Sequence, residues 1–328
     1  MESKCRYRKV AVLLSSYNGE RFIREQIESI CAQTYPNLTL YVRDDGSTDG
    51  TVEILEEYQR QEKLVLLKGE NLGFIGSFFR LLRDCGRADG GFAQNPETDR
   101  TEENPNTADY YAWCDQDDIW MPDKIERAVE WLEKDRMQHP VLYFAGYDYY
   151  DENMKFEKHG LVHERGPSFA NSLMDCIPLG FTSVFNSKAR EMMLAQIPEH
   201  CCGHDWWTYM VCAAFGRVLY DKEYCAVKYR RLQTSVSPGG KNFIALQIWR
   251  FRKFFMNDYF AKIREQLREF AAIYGEQLSP ENRKIMKLFT GSRYSLPRAL
   301  KKTFYPVWFR QGLTEELMVR VLFLIGRL

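Results

Sequence analysis

The sequence predicts an α/β fold: a mainly parallel sheet with helices on both faces, followed by a helical C-terminal extension. Three observations predict it. Short apolar runs alternate with amphipathic segments up to Cys114, polar clusters close three of those runs, and from about residue 241 the texture turns basic, aromatic and helix-forming. Alternating strands and helices bury a parallel sheet between helical layers. Ligands on such sheets bind beyond the carboxyl ends of the strands.

The elements follow in order. Val10–Ser15 is a short apolar run, the mark of a strand buried on both faces. Glu20–Gln33 carries Phe22, Ile23, Ile27, Ile30 and Cys31 at helical spacing. Leu38–Arg43 is a second strand, and Thr51–Gln61 a helix with Val52, Leu55 and Tyr58 on one face. Leu64–Lys68 is a third strand, Phe74–Cys85 a third helix and Tyr110–Cys114 a fourth strand. Residues 86–109 are polar and rich in Gly, Pro and Asn, which predicts a mobile surface insertion. Further on, His204–Trp207 opens a helix expected over Trp206–Phe215.

With 328 residues the chain has room for one large α/β domain with an appendage, or for two domains. Its zero formal charge hides an asymmetry. Residues 1–240 hold 28 Lys+Arg against 38 Asp+Glu, and residues 241–328 hold 17 against 7. That split suggests an acidic, cation-binding body over 1–240 and a basic region over 241–328 that seeks an anionic partner. The tail's aromatic residues suit a membrane surface; helices packed on the body are the alternative. No nucleic-acid motif is present. Nine cysteines without a regular spacing, and a charged start without an apolar core behind it, lead to the expectation of a cytoplasmic location. No run reaches the ~20 apolar residues that cross a bilayer.

Three polar clusters carry chemistry. Asp115-Gln116-Asp117-Asp118 follows the fourth strand; crowded carboxylates repel unless a cation sits among them, and hard oxygen donors suit Mg²⁺ or Mn²⁺. A calcium loop of the EF-hand kind fails, because Trp120 stands where it needs Gly. An acidic turn before the next helix is the simpler alternative. Arg43–Gly50 follows the second strand, where an acidic residue can accept hydrogen bonds from a ribose or base, or merely cap a helix. The turn after the first strand, Ser15–Glu20, has one glycine, too few for a dinucleotide fingerprint. Asp205 near a helix start reads first as an N-cap. His200, Cys201, Cys202 and His204 match no common zinc spacing.

These clusters, in this order, resemble the family 2 glycosyltransferases of GT-A fold. VAVLLSSYNGERFIREQIESICAQTYPNLTLYVRDDGSTDGT is similar to their N-terminal signature, and ENLGFIGSFFRLL and WCDQDDIWMPDKI to the next blocks. CIPLGFTSVFN and HDWWTYMVCAAFGRVLYDKEYCAVKYR resemble the acceptor-side blocks of the bacterial, rhamnosyltransferase-like branch. The resemblance covers about residues 8–236. It implies a GT-A catalytic domain over 1–240 that uses a nucleoside-diphosphate sugar and inverts the anomeric centre. It implies that Ser15, Tyr17 and Asp45 hold the nucleoside, that Asp115 lies near ribose or sugar, and that Asp117 ligates Mn²⁺ or Mg²⁺. Asp205 becomes the general base, with Gly180, Phe181, His204 and Trp206 on the acceptor side. Related sequences often carry a His and an Asn after the Tyr-Arg pair; here Leu232 stands nearby instead, and Arg230 or Arg231 is expected to reach the diphosphate. A sugar nucleotidyltransferase would want a glycine-rich phosphate loop after strand one, which is absent. A non-catalytic sugar-binding scaffold would have no use for Asp45, Asp117 and Asp205 together.

Overall fold

The computed structural model describes residues 7–86, 107–135, 138–232, 259–291 and 294–328. Strand β1 (Val10–Ser16) leads to helix α1 (Ile23–Cys31), β2 (Leu38–Asp44), α2 (Thr51–Arg60), β3 (Val65–Lys68), α3 (Gly73–Asp84) and β4 (Tyr110–Cys114). Each lies within two or three residues of the segment its sequence pattern predicts. All four strands are parallel, with β2 and β4 flanking β1 and β3 beyond β2.

The second half completes the sheet with strands that the apolar pattern does not announce. β5 (Ile119–Trp120) and α4 (Lys124–Glu133) precede the long β6 (Val141–Tyr150) and β7 (Phe156–His159). Then come α5 (Phe169–Ser172), a 3₁₀ turn over Gly180–Thr182, β8 (Ser183–Asn186), α6 (Ser187–Ala195), α7 (His204–Phe215) and β9 (Arg217–Arg230). The sheet order is β3-β2-β1-β4-β8-β6-β9-β5, with β7 paired to β6. β8 runs antiparallel to β4 and β6, and β9 runs parallel to β6. Chain order reverses between β1 and β4, so the crevice between their carboxyl ends is the switch point where such sheets bind ligands.

Alternation along β1 divides two cores. Val10, Val12 and Leu14 face one way, against Ile23 and Ile27 of α1, Leu55 of α2 and Ile125 of α4. Ala11 and Leu13 face the other, with Phe78 of α3, Trp113 of β4 and Trp207 of α7. Of the C-terminal helices α8 (Tyr259–Tyr274), α9 (Pro280–Phe289), α10 (Leu296–Thr303) and α11 (Leu313–Leu324), α8, α9 and α11 join this second core, and α10 packs against α11. Phe270 packs edge-on to Trp207, ring centroids 5.3 Å apart, and Phe289 meets Phe323 at 5.4 Å. Packing on the body therefore accounts for α8 and α9, the alternative to a membrane role. The expected boundary at 240 and most of the aromatic stretch after it lie outside the described residues. So do residues 87–106 of the predicted insertion, which join the fold between the end of α3 and the amino end of β4.

Candidate active site

Three loops meet at the switch point, and polar side chains lace them together. After β1, Asn18 adopts a left-handed φ of 48°. Its main-chain N–H donates to Ser47 Oγ at 2.9 Å, and its side-chain oxygen accepts from Thr48 N at 2.8 Å. Gln116, between the aspartates after β4, bonds both main-chain groups of Tyr17: it accepts from Tyr17 N at 2.9 Å and donates to Tyr17 O at 3.1 Å. Gly19 makes this possible, since a Cβ there would fall 2.3 Å from Gln116 Oε1. Asp44 closes the second loop, accepting from Gly46 N at 3.1 Å and Ser47 N at 2.9 Å.

Beneath these loops runs a buried polar chain. Ser15 Oγ lies 2.6 Å from Ser77 Oγ of α3, and Arg43 donates to the same Ser77 oxygen at 3.0 Å. Arg43 also pairs with Asp45, and both side chains are almost fully buried. Asp45 accepts from Leu72 N at 2.9 Å, so α3 is tied to the carboxylate. A buried ion pair of this kind persists only with such additional hydrogen bonds. Tyr17, by contrast, is half exposed, its ring free to meet a ligand.

The acidic loop is held from behind. Asp118 is fully buried and accepts from Arg230 N at 3.0 Å. The Arg230 guanidinium donates to Asp117 O at 2.9 Å and Glu152 O at 2.8 Å, and pairs with Glu25. Its side chain is 3% exposed. Arg230 therefore braces the loop that carries Asp117, and its donors do not point at the crevice where a diphosphate was expected. Asp115 and Asp117 are partly buried at the mouth. Burial pushes the Asp115 carboxyl up to about 7, helped by the Asp117 and Asp205 carboxylates and opposed by Lys124. Burial also raises Asp117. Lys124, fully buried with its ammonium 3.1 Å above the Trp120 ring, is pushed down to about 7 by burial.

Asp205 reaches the same field from across the crevice. The cap of α7 is Gly203, not Asp205, and the helix begins at His204, two residues earlier than the sequence suggests. Asp205 sits in the first turn, where its oxygens accept from Gly180 N at 3.1 Å and Trp206 N at 2.8 Å. Gly180 and Gly203 keep this corner open: a Cβ at Gly203 would fall 2.5 Å from Asp205 Oδ1. His204 is buried, stacked on Phe78 at 3.7 Å, and burial pushes its imidazole down to about 4, so it is neutral. Trp206 is buried with its indole N–H on Ser172 O at 2.6 Å, and Phe181 is buried and stacked on Tyr229 at 4.9 Å. These three shape the wall from within the core.

Sequence reasoning missed Arg43, Ser77 and Gln116 as site residues. A charged residue ending an apolar strand, and an amide between aspartates, were the signals.

Residues 11–86 match the sequence profile described as Glycosyl transferase family 2. Over those residues the chain is similar to that family, and relatives named as glycosyltransferases match it further along. The dTDP-rhamnosyl transferase RfbG of Shigella flexneri is 31% identical over 123 residues, 36% of each chain. The putative teichuronic acid biosynthesis glycosyltransferase TuaG of Bacillus subtilis is 25% identical over 233 residues, 70% of this chain and 81% of TuaG. The chain spans only 19–36% of the length of several of these curated relatives, RfbG among them. Among solved structures, S. aureus TarS 1–349 in complex with UDP-GlcNAc superposes with a TM-score of 0.51 at 14% identity, over 85% of this chain and 78% of TarS. That likeness is one of fold: the mainly parallel sheet with helices on both faces is GT-A-like.

The donor set fits a hard divalent cation. Asp115 and Asp117 offer oxygen atoms in a place where burial, joined at Asp115 by the neighbouring carboxylates, already favours protonation, and a cation would offset that cost. Among the described residues no group of three or more His, Cys, Asp or Glu side chains converges as a ligand cage. A bound cation would need further donors, such as the oxygens of a diphosphate.

Proposed function

We propose that the chain transfers a sugar from a nucleoside-diphosphate sugar to an acceptor hydroxyl, with inversion at the anomeric carbon. The observation that carries this reading is the meeting of the acidic loop after β4, with Asp115 and Asp117, and the first turn of α7, with Asp205 held by Gly180 N, at one crevice, where burial and then the Asp117 and Asp205 charges raise Asp115. The crevice is the β1/β4 switch point, with buried Asp45 at its nucleoside end.

The residues take the following parts. Ser15, Tyr17 and Asp45 hold the nucleoside, with the exposed Tyr17 ring against the base. Asp117, with Asp115 beside it, would hold Mn²⁺ or Mg²⁺, which when bound neutralises charge on the departing diphosphate. Asp205 takes the proton from the acceptor hydroxyl as its oxygen bonds to the anomeric carbon. The bond to the diphosphate breaks from the opposite face, so the configuration inverts. The Gly180 N–H keeps Asp205 aimed. Gly180, Phe181, His204 and Trp206 form the acceptor-side wall.

The donor is read as a UDP- or dTDP-sugar, with the similarity to the dTDP-rhamnosyl transferase RfbG supporting dTDP-rhamnose, and the acceptor as a glycan or lipid-linked saccharide in cell-surface polysaccharide synthesis, a reading that the similarity to the putative teichuronic acid biosynthesis glycosyltransferase TuaG supports. Such an acceptor places the enzyme at the cytoplasmic face of a membrane, bound peripherally through the C-terminal region. No described helix is long and apolar enough to cross a membrane. A thermal-shift screen of nucleotide sugars with and without Mn²⁺ tests the reading, since a true donor stabilises the fold through binding. No stabilisation by any UDP- or dTDP-sugar refutes it.

A further inference from the structure

His204, the neighbour of Asp205, sits among three aromatic rings that are not used alike. It stacks on Phe78 at 3.7 Å and meets Trp113 edge-on at 4.9 Å. Phe78 and Trp113 touch each other at 5.4 Å, and both are buried with His204. Phe74 is the third ring, edge-on to His204 with centroids 6.4 Å apart, yet it stays 61% exposed. Leu72, two residues before it, is 43% exposed. The core is closed without the outer surface of Phe74, and exposed apolar surface at the mouth of a cleft marks a binding site.

The chain around Phe74 fixes where it stands. The Leu72 N–H is held by Asp45 at 2.9 Å. Gly73 then takes a left-handed φ of 71°, which glycine adopts without steric cost, and α3 begins. Fourth-residue spacing puts Phe74 on the helical face of Phe78, one turn closer to the start of α3. Ser77, on the same turn as Phe78, joins Ser15 and Arg43. The exposed ring therefore stands at the rim between Asp45, at the nucleoside end, and the His204–Asp205 corner.

A second observation comes from that corner. His204 is 5% exposed, and neither of its ring nitrogens has a hydrogen-bond partner among the described residues. Its Nε2 faces the room that Gly180 leaves, since a Cβ there would fall 2.9 Å from it. Buried polar atoms rarely go unpaired, and a hydroxyl can donate to a neutral imidazole or accept from it. An apolar ring beside unpaired polar atoms asks for a ligand with both kinds of surface. A pyranose has them: a face of C–H bonds and a rim of hydroxyls. The negative face of an aromatic ring attracts such hydrogens.

We infer that Phe74 is the platform for the acceptor sugar, whose C–H face lies against the exposed ring while its hydroxyls enter the corner of His204, Gly180 and Asp205. This inference rests on the transferase reading and deepens it. It names the side chain that receives the acceptor and makes that acceptor a pyranoside, not an open-chain alcohol.

Saturation-transfer NMR of the full chain with UDP and Mn²⁺ present tests it. The probes are methyl α-rhamnoside, methyl β-glucoside and methyl N-acetyl-β-glucosaminide, with glycerol as the open-chain control. At least one glycoside binds the wild type, and glycerol does not. Phe74→Ala raises that glycoside's dissociation constant about tenfold, the equivalent of ~1.4 kcal/mol for one partly covered ring. Phe74→Trp, which keeps an aromatic face, restores binding. Phe74 is exposed, and thermal melts confirm that both variants fold. UDP calorimetry reads the same in all three proteins. Equal glycoside binding by wild type and Phe74→Ala overturns the inference, as does a wild type that binds no glycoside or binds glycerol equally well. Weaker UDP binding by Phe74→Ala assigns the ring to the nucleotide and overturns it. Weaker binding of UDP-glucose with UDP unchanged assigns it to the donor sugar and overturns it too. A wild type that binds no UDP refutes the transferase reading instead, and leaves a Phe74-dependent glycoside site standing.

Discussion

Replacing Asp205 by Asn separates a structural carboxylate from a catalytic one. Asp205 makes two main-chain contacts, from Gly180 N and Trp206 N. Asn keeps one acceptor oxygen, so one charge-assisted bond is lost, at about 1.5–3 kcal/mol. Its place in the first turn of α7 adds ~0.3–1 kcal/mol of lost helix-dipole interaction. Domains are stable by about 5–15 kcal/mol, so the variant stays folded but melts measurably lower. Loss of a general base costs ~10²–10⁴-fold in rate, about 2.7–5.4 kcal/mol of barrier. We expect a folded Asp205→Asn protein that binds UDP as wild type does and transfers sugar at least ~100-fold more slowly. Circular dichroism, UDP calorimetry and release of nucleoside diphosphate measure the three quantities, and NMR of the wild-type product reads its anomeric configuration. Near-normal transfer by the variant removes Asp205 from the mechanism. A retained configuration refutes the single displacement itself.

Other perturbations probe other parts of the chain. Asp117→Ala should abolish the Mn²⁺-dependent part of UDP affinity in calorimetry while leaving the metal-free part. Ser77→Ala removes the hub shared by Ser15 and Arg43, and should cost about 1–3 kcal/mol in urea unfolding and weaken UDP binding. Lys302 gives a pH signature. Its folded value of about 8 lies below the ~10.4 of an unfolded lysine, so between these values the unfolded chain holds more protons. Stability should therefore rise with pH from about 8 to 10, by at most ~1.4 kcal/mol per unit, and Lys302→Met should flatten that rise in urea titrations.

Much of this architecture can be read from the chain, and the reasons are physical. β1, β2 and β4 are buried on both faces, so Val10–Leu14 and Tyr110–Cys114 are apolar without interruption and stand out. β6 and β9 escape the same reading. Their tyrosines and charges, as in Tyr147–Tyr150 and Asp221–Tyr224, sit where the sheet is only half covered, and their partners are distant in sequence. The acidic loop and Asp205 are legible because carboxylates at strand and helix ends are few. Arg43 and Ser77 are not, because their meaning depends on meeting across thirty-four positions. Arg230 shows the converse: a cation near a diphosphate site is expected to bind it, and burial against Glu25 and two carbonyls gives it another task. Asp205 likewise looks like a cap until the backbone shows Gly203 in that position.

The sheet keeps its two ends apart. Every side chain proposed for chemistry lies at or beyond the carboxyl ends of β1, β2 and β4. The chain between Gly86 and Thr107 attaches at the other end, where α3 stops and β4 begins. Its two attachment points therefore lie a strand length from the crevice. For the experimenter those points are a handle: a fluorophore or affinity tag attached at Gly86 or Thr107 is anchored a full strand length from the reacting atoms.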